Sequence, residues 1–424
     1  MGSISFLTLF IIVSVLAQDR NEFDCSVKLQ QILQIKTNAA AGWKHFNIDG
    51  TDYLAVANFW DGVPENRMRA LSVLYRAKII KSKGGFFKMK LNRVQDFETV
   101  GAHGWEFVKS GNSSYLVVPN YYQCGSDRGP ASDSCKSTAI YVFDHSRLRF
   151  VEKQRLSTAG PASVTAFQID NRVYLAVGEN FDDKVAIFRE TDDGRFVVHQ
   201  KLAVAGAGVS AFLAVSASRS YLVAASYHDP HTRWRTRSVV FRWRRKTRAF
   251  VRVRELPTAG AHHVEPFAED NEQGATGSAN GFFIANDRDD STTSVLSPVY
   301  SVAANGSFRL VQEIPTDGAH GAALLRTRGA GGRLILAIAN FGDRLGKRYA
   351  ARSAILARNA TGLFQMVQEV DTLGATDWEA FRIGQHDLFV VSNEGADGAP
   401  ADSVFYRVVG QCDHSTTAGL PVEL

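Results

Sequence analysis

Long apolar runs, helical periodicity, linkers and catalytic signatures are all missing from most of this chain, and each absence narrows what it can be. Beyond the first eighteen residues no stretch approaches the roughly 20 apolar residues of a membrane helix, so no membrane span is expected. Apolar residues do not recur at helical spacing, so almost no helix is expected. No Pro-rich, Ser-rich or low-complexity segment divides the 424 residues, so a single domain is expected. A Gly-x-Ser-x-Gly elbow, a His-Glu-x-x-His pair, a Cys-x-x-Cys pair and a phosphate loop are all lacking. Catalysis needs a converging nucleophile, base or metal, and the sequence names none. We therefore expect no enzyme, no catalytic residue and no cofactor.

What the chain does contain is repetition. With 45% apolar residues and 35 glycines, there is material for a large core and for many tight turns. Between Leu148 and Arg189 four short apolar segments alternate with turn residues: Phe150 to Leu156, Phe167 to Ile169, Tyr174 to Val177 and Val185 to Phe188. Such segments, rich in Val, Ile, Phe and Tyr and bounded by Gly, Asn and Asp, read as strands. A Gln-charged-apolar-x-Thr-x-Gly-Ala core recurs at Gln95 to Ala102, Gln312 to Ala319 and Gln368 to Ala375. Looser copies run from Gln200 to Ala207, with Val204 in place of Thr, and from Arg254 to Ala261. The weakest, Leu33 to Ala40, keeps Thr37 but has Ala39 for Gly. Each copy precedes a Tyr-Leu-Ala-Val-Ala-Asn-like segment, and the recurring Asn (Asn58, Asn120, Asn180, Asn286, Asn340, Asn393) is read as structural.

Seven units spaced by roughly 46 to 62 residues result, starting near 29, 91, 150, 196, 250, 308 and 364. That period suits four-stranded propeller blades. Segments such as Tyr53 to Ala57 and Ile335 to Ala339 are apolar on both faces, as befits strands buried between blades. The expected fold is all-β, a seven-bladed propeller with four antiparallel strands per blade. In this phasing each unit begins with the fourth strand of the preceding blade. The last blade then lacks its fourth strand, which Leu29 to Ile35 supplies from the amino terminus, closing the ring.

Residues 1–17 hold the apolar run Phe6 to Leu16 followed by a small-residue site at Val15-Leu16-Ala17. This reads as a signal peptide, leaving 18–424 as a secreted propeller. Four cysteines allow three pairings. Cys124 and Cys135 share one loop and can close a local ring. Cys25 lies four residues before the incoming strand and Cys412 four after the outgoing one, so a bridge between them would replace the hairpin missing at the seam. Two unrelated cysteines or another connectivity is the competing reading. Asn112, Asn305 and Asn359 begin glycosylation triplets, each in an expected turn.

The motif Phe364-x-x-Val367-Gln368-x-Val370-x-Thr372-x-Gly374-Ala375-x-x-Trp378-x-x-Phe381, followed by Phe389 to Asn393, resembles the EAR (epilepsy-associated, EPTP or epitempin) repeat. Similar sets occur at Gln95 to Trp105 and Trp43 to Asn58, and the resemblance covers nearly the whole mature chain. It implies a seven-bladed extracellular propeller that binds other proteins at the cell surface. In the leucine-rich glioma-inactivated members the partners are catalytically dead disintegrin-metalloprotease receptors. Neither leucine-rich repeats nor a laminin-G domain occurs here, and Val164, Ser210, Val264 and Ala322 stand where the motif has Trp. The partner's identity therefore does not carry over.

Three groups of side chains invite a functional reading. His103, His262, His263 and His320 follow Gly-Ala in three repeats and would meet at one mouth of the channel. A metal site is one reading, and a turn-stabilising role inherited with the repeat is the favoured one. Asp182, Asp183, Asp289, Asp290 and Asp343 lack the alternating oxygen spacing of a calcium loop and are read as exposed turn residues. Arg233, Arg235, Arg237, Arg242, Arg244, Arg245, Lys246, Arg248, Arg252 and Arg254 fall within 22 residues, on the last two strands of one blade. They would attract a polyanion, in a secreted protein a sulfated glycosaminoglycan rather than nucleic acid. A solvated edge that deters sheet pairing is the equal alternative.

The leading expectation is a non-enzymatic protein that binds a cell-surface or matrix protein through a propeller face. The alternative is a carbohydrate binder, either lectin-like, with Trp43, Trp60, Trp105, Trp234, Trp243 or Trp378 stacking on sugars, or acting through the Arg-rich blade.

Overall fold

Seven clusters of buried side chains hold the molecule together, and each lies between two adjacent blades rather than within one. A blade alone would leave both faces of its inner strands in water. Packing face to face into a closed ring covers them, which is why the unit had to be repeated.

The computed structural model describes residues 25–63, 68–81, 87–122, 137–216, 218–268, 280–328, 332–396 and 399–412. Among them run 28 strands in seven four-stranded sheets. Blade 1 is β2 (Ala40–Ile48), β3 (Thr51–Asn58), β4 (Arg69–Lys81) and β5 (Phe87–Val100). Blade 2 is β6 (Glu106–Ser110), β7 (Ser113–Pro119), β8 (Thr138–Asp144) and β9 (Arg149–Leu156). Blade 3 is β10 (Pro161–Ile169), β11 (Arg172–Glu179), β12 (Lys184–Glu190) and β13 (Phe196–Ala203). Blade 4 is β14 (Ala207–Ser216), β15 (Arg219–Ser226), β16 (Arg235–Arg244) and β17 (Ala249–Ala259). Blade 5 is β18 (Ala261–Phe267), β19 (Gly281–Asn286), β20 (Ser294–Val302) and β21 (Phe308–Asp317). Blade 6 is β22 (Ala319–Arg326), β23 (Leu334–Asn340), β24 (Arg352–Arg358) and β25 (Phe364–Asp371). Blade 7 is β26 (Ala375–Ile383), β27 (His386–Asn393), β28 (Ser403–Cys412) and, from the other end of the chain, β1 (Cys25–Ile35). The amino-terminal strand thus completes the last blade, pairing antiparallel with β28.

The repeat residues have legible jobs. The Gln of the core motif reaches from the fourth strand of one blade to the fourth strand of the next and holds both backbone groups of one residue there. Gln95 does this to Phe150, Gln154 to Phe196, Gln200 to Phe250, Gln312 to Phe364 and Gln368 to Leu29, at 2.7–3.2 Å. A primary amide carries a donor and an acceptor side by side, so it satisfies an N–H and a C=O at once. The Thr ties the fourth strand to the third through paired hydroxyls, as in Ser72–Thr99 (2.8 Å), Ser297–Thr316 (2.8 Å) and Ser353–Thr372 (2.9 Å). At the seam Thr37 meets Ser403 in the same way at 3.2 Å.

Two readings of the sequence need correction here. The strands at the seam do not stop short of the cysteines: β1 and β28 run through them, and the backbone register sets Cys25 opposite Cys412. A long paired ladder costs little to extend when the backbone groups on both sides are already aligned. The second concerns the Asn of blade 3. In its place in the register stands Glu179, opposite Pro161, as Asn58 stands opposite Ala40. Its carboxylate accepts from the Ala159 N–H at 2.9 Å, a bond to the turn before the first strand that Asn58 makes to Asn38 and Asn120 to Val100. Asn180 lies one residue beyond and accepts from the Tyr121 hydroxyl instead.

Candidate functional site

The first strand of each blade lines the axis, and the Gly-Ala turn decides how it enters. The residue at the Gly position lies at positive φ in every repeat, from Gly101 (60°) to Gly374 (58°), including Gly160 before Pro161 (52°) and the first copy, where Ala39 adopts 48°. The strand then begins with a shift in register, as between Ala261 and His263 or Ala319 and Gly321. Such a bulge re-aims a side chain, and here the extra residue turns into the channel. The channel is a cavity of about 770 Å³ lined from all seven blades.

Its wall is tiered. The tier that follows Gly-Ala carries Ala41, His103, Ala162, Gly208, His262, His320 and Thr376. Three residues deeper comes a tier of Lys44, Glu106, Thr165, Ala211, Glu265, Ala323 and Glu379. Between these tiers alternate strand positions turn into the blade interfaces. There Trp43, Trp105 and Trp378 are buried, and Val164, Val264 and Ala322, which replace Trp in three other blades, pack against the neighbouring sheets.

The histidines meet as a row of stacked rings. His103 of blade 2 lies 6.1 Å from His262 of blade 5, which stacks on His320 of blade 6 at 4.3 Å and 6°. His320 stacks in turn on Phe341 at 4.4 Å, and the Arg344 guanidinium covers that ring at 4.6 Å. His262 is hydrogen-bonded through Nδ1 to the His320 carbonyl at 3.1 Å, and His320 Nε2 is 3.6 Å from Asp287. Parallel rings present faces to one another, whereas a metal needs ring nitrogens converging at about 2.0–2.1 Å. Among the described residues no three His, Cys, Asp or Glu side chains are arranged to hold an ion. Burial lowers the His103 pKa to about 4, with His320 and Arg344 adding to it. Burial, then His320, His103 and His263, hold His262 well below the usual imidazole value.

His263 does not join this row. It faces the deeper acidic tier, 3.3 Å from Glu265. Burial pulls its pKa down, but the Glu265 hydrogen bond and the charges of Asp377 and Glu265 leave it raised. Lys44 lies 3.2 Å from Glu106, whose charge raises the ammonium pKa with help from Glu379 and Glu265, against burial. Burial raises Glu106, pushes Glu379 up to about 7 against Lys44, and pushes Asp377 up to about 7 against His263. One oxygen of Asp377 is buried without a hydrogen-bond partner, whereas Glu379 accepts from the His45 N–H at 2.9 Å and Glu265 from that of Leu324 at 3.2 Å. Sequence reading missed this tier. The signal was present as a charge directly after the motif Trp position in four of the seven repeats.

Around the histidine end, loops joining second to third strands add an aromatic rim: Phe59, Tyr121, Tyr122, Phe181 and Tyr227 are half-buried, as are Trp60 and Trp234. Leu345 beside them is 73% exposed.

The Arg-rich run lies on the outer half of blade 4, away from the channel. Arg233, Arg235, Arg237, Arg244, Arg245, Lys246, Arg248, Arg252 and Arg254 are exposed, and Arg242 is half-buried. The aspartates serve turns and pairs: Asp183 accepts from the Gly206 N–H, Asp182 pairs with Lys184, and Asp289 accepts from Ser291 and Thr292. Asp290 lies near Arg233 and Arg235, and Asp343 near Arg288. Asn112 and Asn305 are exposed in turns, while Asn359 is half-buried and its amide oxygen accepts from Thr361 and Leu363. Cys124 and Cys135 lie outside the described residues, as do residues 1–17. No helix among the described residues is long and apolar enough to cross a membrane.

The EPTP domain matches residues 30–76, 149–189 and 363–407. Each match runs from the outer strand of one blade through the third strand of the next. A mouse thrombospondin-type laminin G domain and EAR repeat-containing protein is 27% identical over 296 residues, 67% of this chain and 40% of that protein. The chain thus spans well under two thirds of that relative. Among solved structures, the periplasmic gluconolactonase PpgL of Pseudomonas aeruginosa superposes with a TM-score of 0.53 at 17% identity, covering 83% of this chain and 96% of its own. BBS1N, solved in complex with ARL6DN, gives 0.52 at 9%, covering 91% and 97%. At such identities an enzyme and a partner-bound protein share the fold alone. The chain is a seven-bladed β-propeller that carries three EPTP matches in phase with its blades and is similar to an EAR-repeat protein.

Proposed function

We propose that this chain is a secreted, non-enzymatic binding protein that holds a cell-surface receptor or matrix protein on one propeller face. The carrying observation is the aromatic rim around the histidine mouth, where Phe59, Tyr121, Tyr122, Tyr227 and Trp234 line the opening, with Phe181 against Tyr121 and half-buried Trp60 next in the chain to Phe59. Half-buried aromatics on a fixed scaffold offer large contact area at small entropic cost and dominate interface energetics. The EPTP matches and the EAR-repeat relative point the same way, since the EAR repeat occurs in protein-binding propellers.

In this reading residues 1–17 are a leader, Cys25 is bridged to Cys412 and Cys124 to Cys135, and Asn112, Asn305 and Asn359 carry glycans. The cross-strand register of Cys25 and Cys412 supports the first bridge. A lectin-like role based on stacking tryptophans has less to work with, because Trp43, Trp105, Trp243 and Trp378 are buried. Proximity labelling with the tagged mature protein on intact cells tests the proposal. A captured surface protein whose recovery drops when Trp60 and Tyr122 are both changed to Ser is expected. Equal recovery by that variant, or turnover of a lactone by the purified protein, would overturn it.

A further inference from the structure

The Arg-rich blade is not one patch but two. Strand β16 starts at the histidine side, so Arg233, Arg235 and Arg237 lie there, beside carboxylates. Arg233 and Arg235 are 3.8 and 3.6 Å from Asp290, and Arg237 is 3.6 Å from Glu255. Glu255 also takes Arg252. The β16–β17 hairpin lies at the opposite end of the blade and carries Arg244, Arg245, Lys246 and Arg248, all exposed. Of these, Arg245 has a carboxylate partner, Asp170, at a loose 3.9 Å and itself exposed. Arg244, Lys246 and Arg248 have no ion pair among the described residues.

The neighbouring blade extends the hairpin half. Asp170 belongs to the β10–β11 turn of blade 3, so its contact with Arg245 brings that turn against the hairpin. His199 of β13 is bonded to the Arg248 carbonyl at 2.7 Å. Tyr174 is paired across the sheet with Arg189, and burial raises its phenol pKa against the nearby charges of Arg189, Arg172 and Arg248. Six cations from two blades therefore share one rim. Among the described residues Asp170 pairs with Arg245, and Asp192, 98% exposed, lies 3.6 Å from Arg172. Nearby Glu190 and Asp193 are engaged by the Ser110 and Thr191 hydroxyls.

We propose that this rim, centred on Arg244, Arg245, Lys246 and Arg248, binds a sulfated polysaccharide. A run of exposed cations with few fixed counter-charges concentrates a polyanion from solution. The aromatics beneath the rim, Tyr174, Trp243 and Phe250, are buried and offer no face for stacking a base. Single-stranded nucleic acid depends on such faces, whereas sulfate groups need only charge and hydrogen-bond donors. The surface is distinct from the aromatic rim, so the two functions stand or fall separately.

Immobilised heparin tests it with the full mature protein and two variants that remove equal charge: R244S/R245S/R248S at the hairpin and R233S/R235S/R237S at the opposite end. All six positions are exposed, and unchanged melting temperatures establish that both variants fold. At about 0.15 M salt the hairpin variant should bind heparin at least roughly tenfold more weakly, equivalent to about 1.4 kcal/mol. The other variant should stay within about twofold. Equal losses in both variants would mean diffuse charge and no site. Duplex DNA bound as tightly as heparin, with the same dependence on the hairpin, would mean a general polyanion surface. Either outcome, or absence of heparin binding by the unaltered protein, overturns the proposal.

Discussion

Gln368 and Leu29 are 339 residues apart in the chain, yet the Gln368 amide accepts from the Leu29 N–H at 2.7 Å and donates to the Leu29 carbonyl at 3.2 Å. The same clamp joins Gln312 to Phe364 one interface earlier, at 2.8 Å for both bonds. The strand that closes the ring comes from the far end of the chain, yet blade 6 holds it by the same bonds that join blades within the ring.

Changing Gln368 to Leu keeps the bulk and removes both bonds, leaving two partly buried backbone groups unpaired. We expect a loss of about 1–3 kcal/mol, measured by urea unfolding. Gln312→Leu should cost a similar amount. A much larger loss at Gln368 would show that the seam is the weak point of the ring.

Blade 4 lacks the clamp, because Arg254 stands in the Gln position and places its guanidinium 5.9 Å from the Phe308 ring. Arg has donors and no acceptor, so it cannot hold the Phe308 backbone as an amide does. Arg254→Gln should stabilise the protein by about 0.5–1 kcal/mol, read as a rise in melting temperature. A fall would mean that the contact with Phe308 outweighs the clamp.

Ala39 and Gly318 occupy one repeat position and predict opposite outcomes. Ala39 sits at φ 48°, where a Cβ is unfavourable, so Ala39→Gly should stabilise by about 1 kcal/mol. Gly318 has φ 63°, and a Cβ there would lie 2.2 Å from the Gly342 carbonyl oxygen. Gly318→Ala should cost about 1–3 kcal/mol. Thermal unfolding of both variants with the same sign of change would refute the account.

The channel couples stability to pH in two opposing senses. His103, held near 4, and His262, also depressed, bind fewer protons folded than unfolded. Their contribution is present above the ordinary imidazole value and is lost as pH falls toward 4. Asp377 and Glu379, both near 7, bind more protons folded than unfolded. Their contribution is present below the ordinary carboxyl value and is lost as pH rises toward 7. Glu106 and His263, both raised, act in the second sense. Each fully mismatched group tilts the profile by about 1.4 kcal/mol per pH unit. From pH 4.5 to 6.5 the stability of D377N/E379Q should therefore rise relative to that of the unaltered protein, and that of H103Q/H262Q should fall relative to it. Superimposable profiles for all three proteins would sink this reading.

The Gln, Thr and Gly-Ala of the repeat, together with its all-apolar second strands, were enough by themselves to determine the ring, its phasing and the terminal strand that closes it. These features recur because each blade must solve one local problem, covering a sheet with its neighbour, and local problems leave a periodic trace. Tertiary structure decided what the trace does not carry. It stacked His103, His262 and His320 while turning His263 toward Glu265, because one bulge residue separates the two directions. It gathered Lys44, Glu106, Glu265 and Glu379 from four blades, since only closure brings positions more than 300 residues apart to one axis. It also divided a continuous run of arginines into two ends of a blade with different neighbours, because charge is read along the chain but neutralised through space.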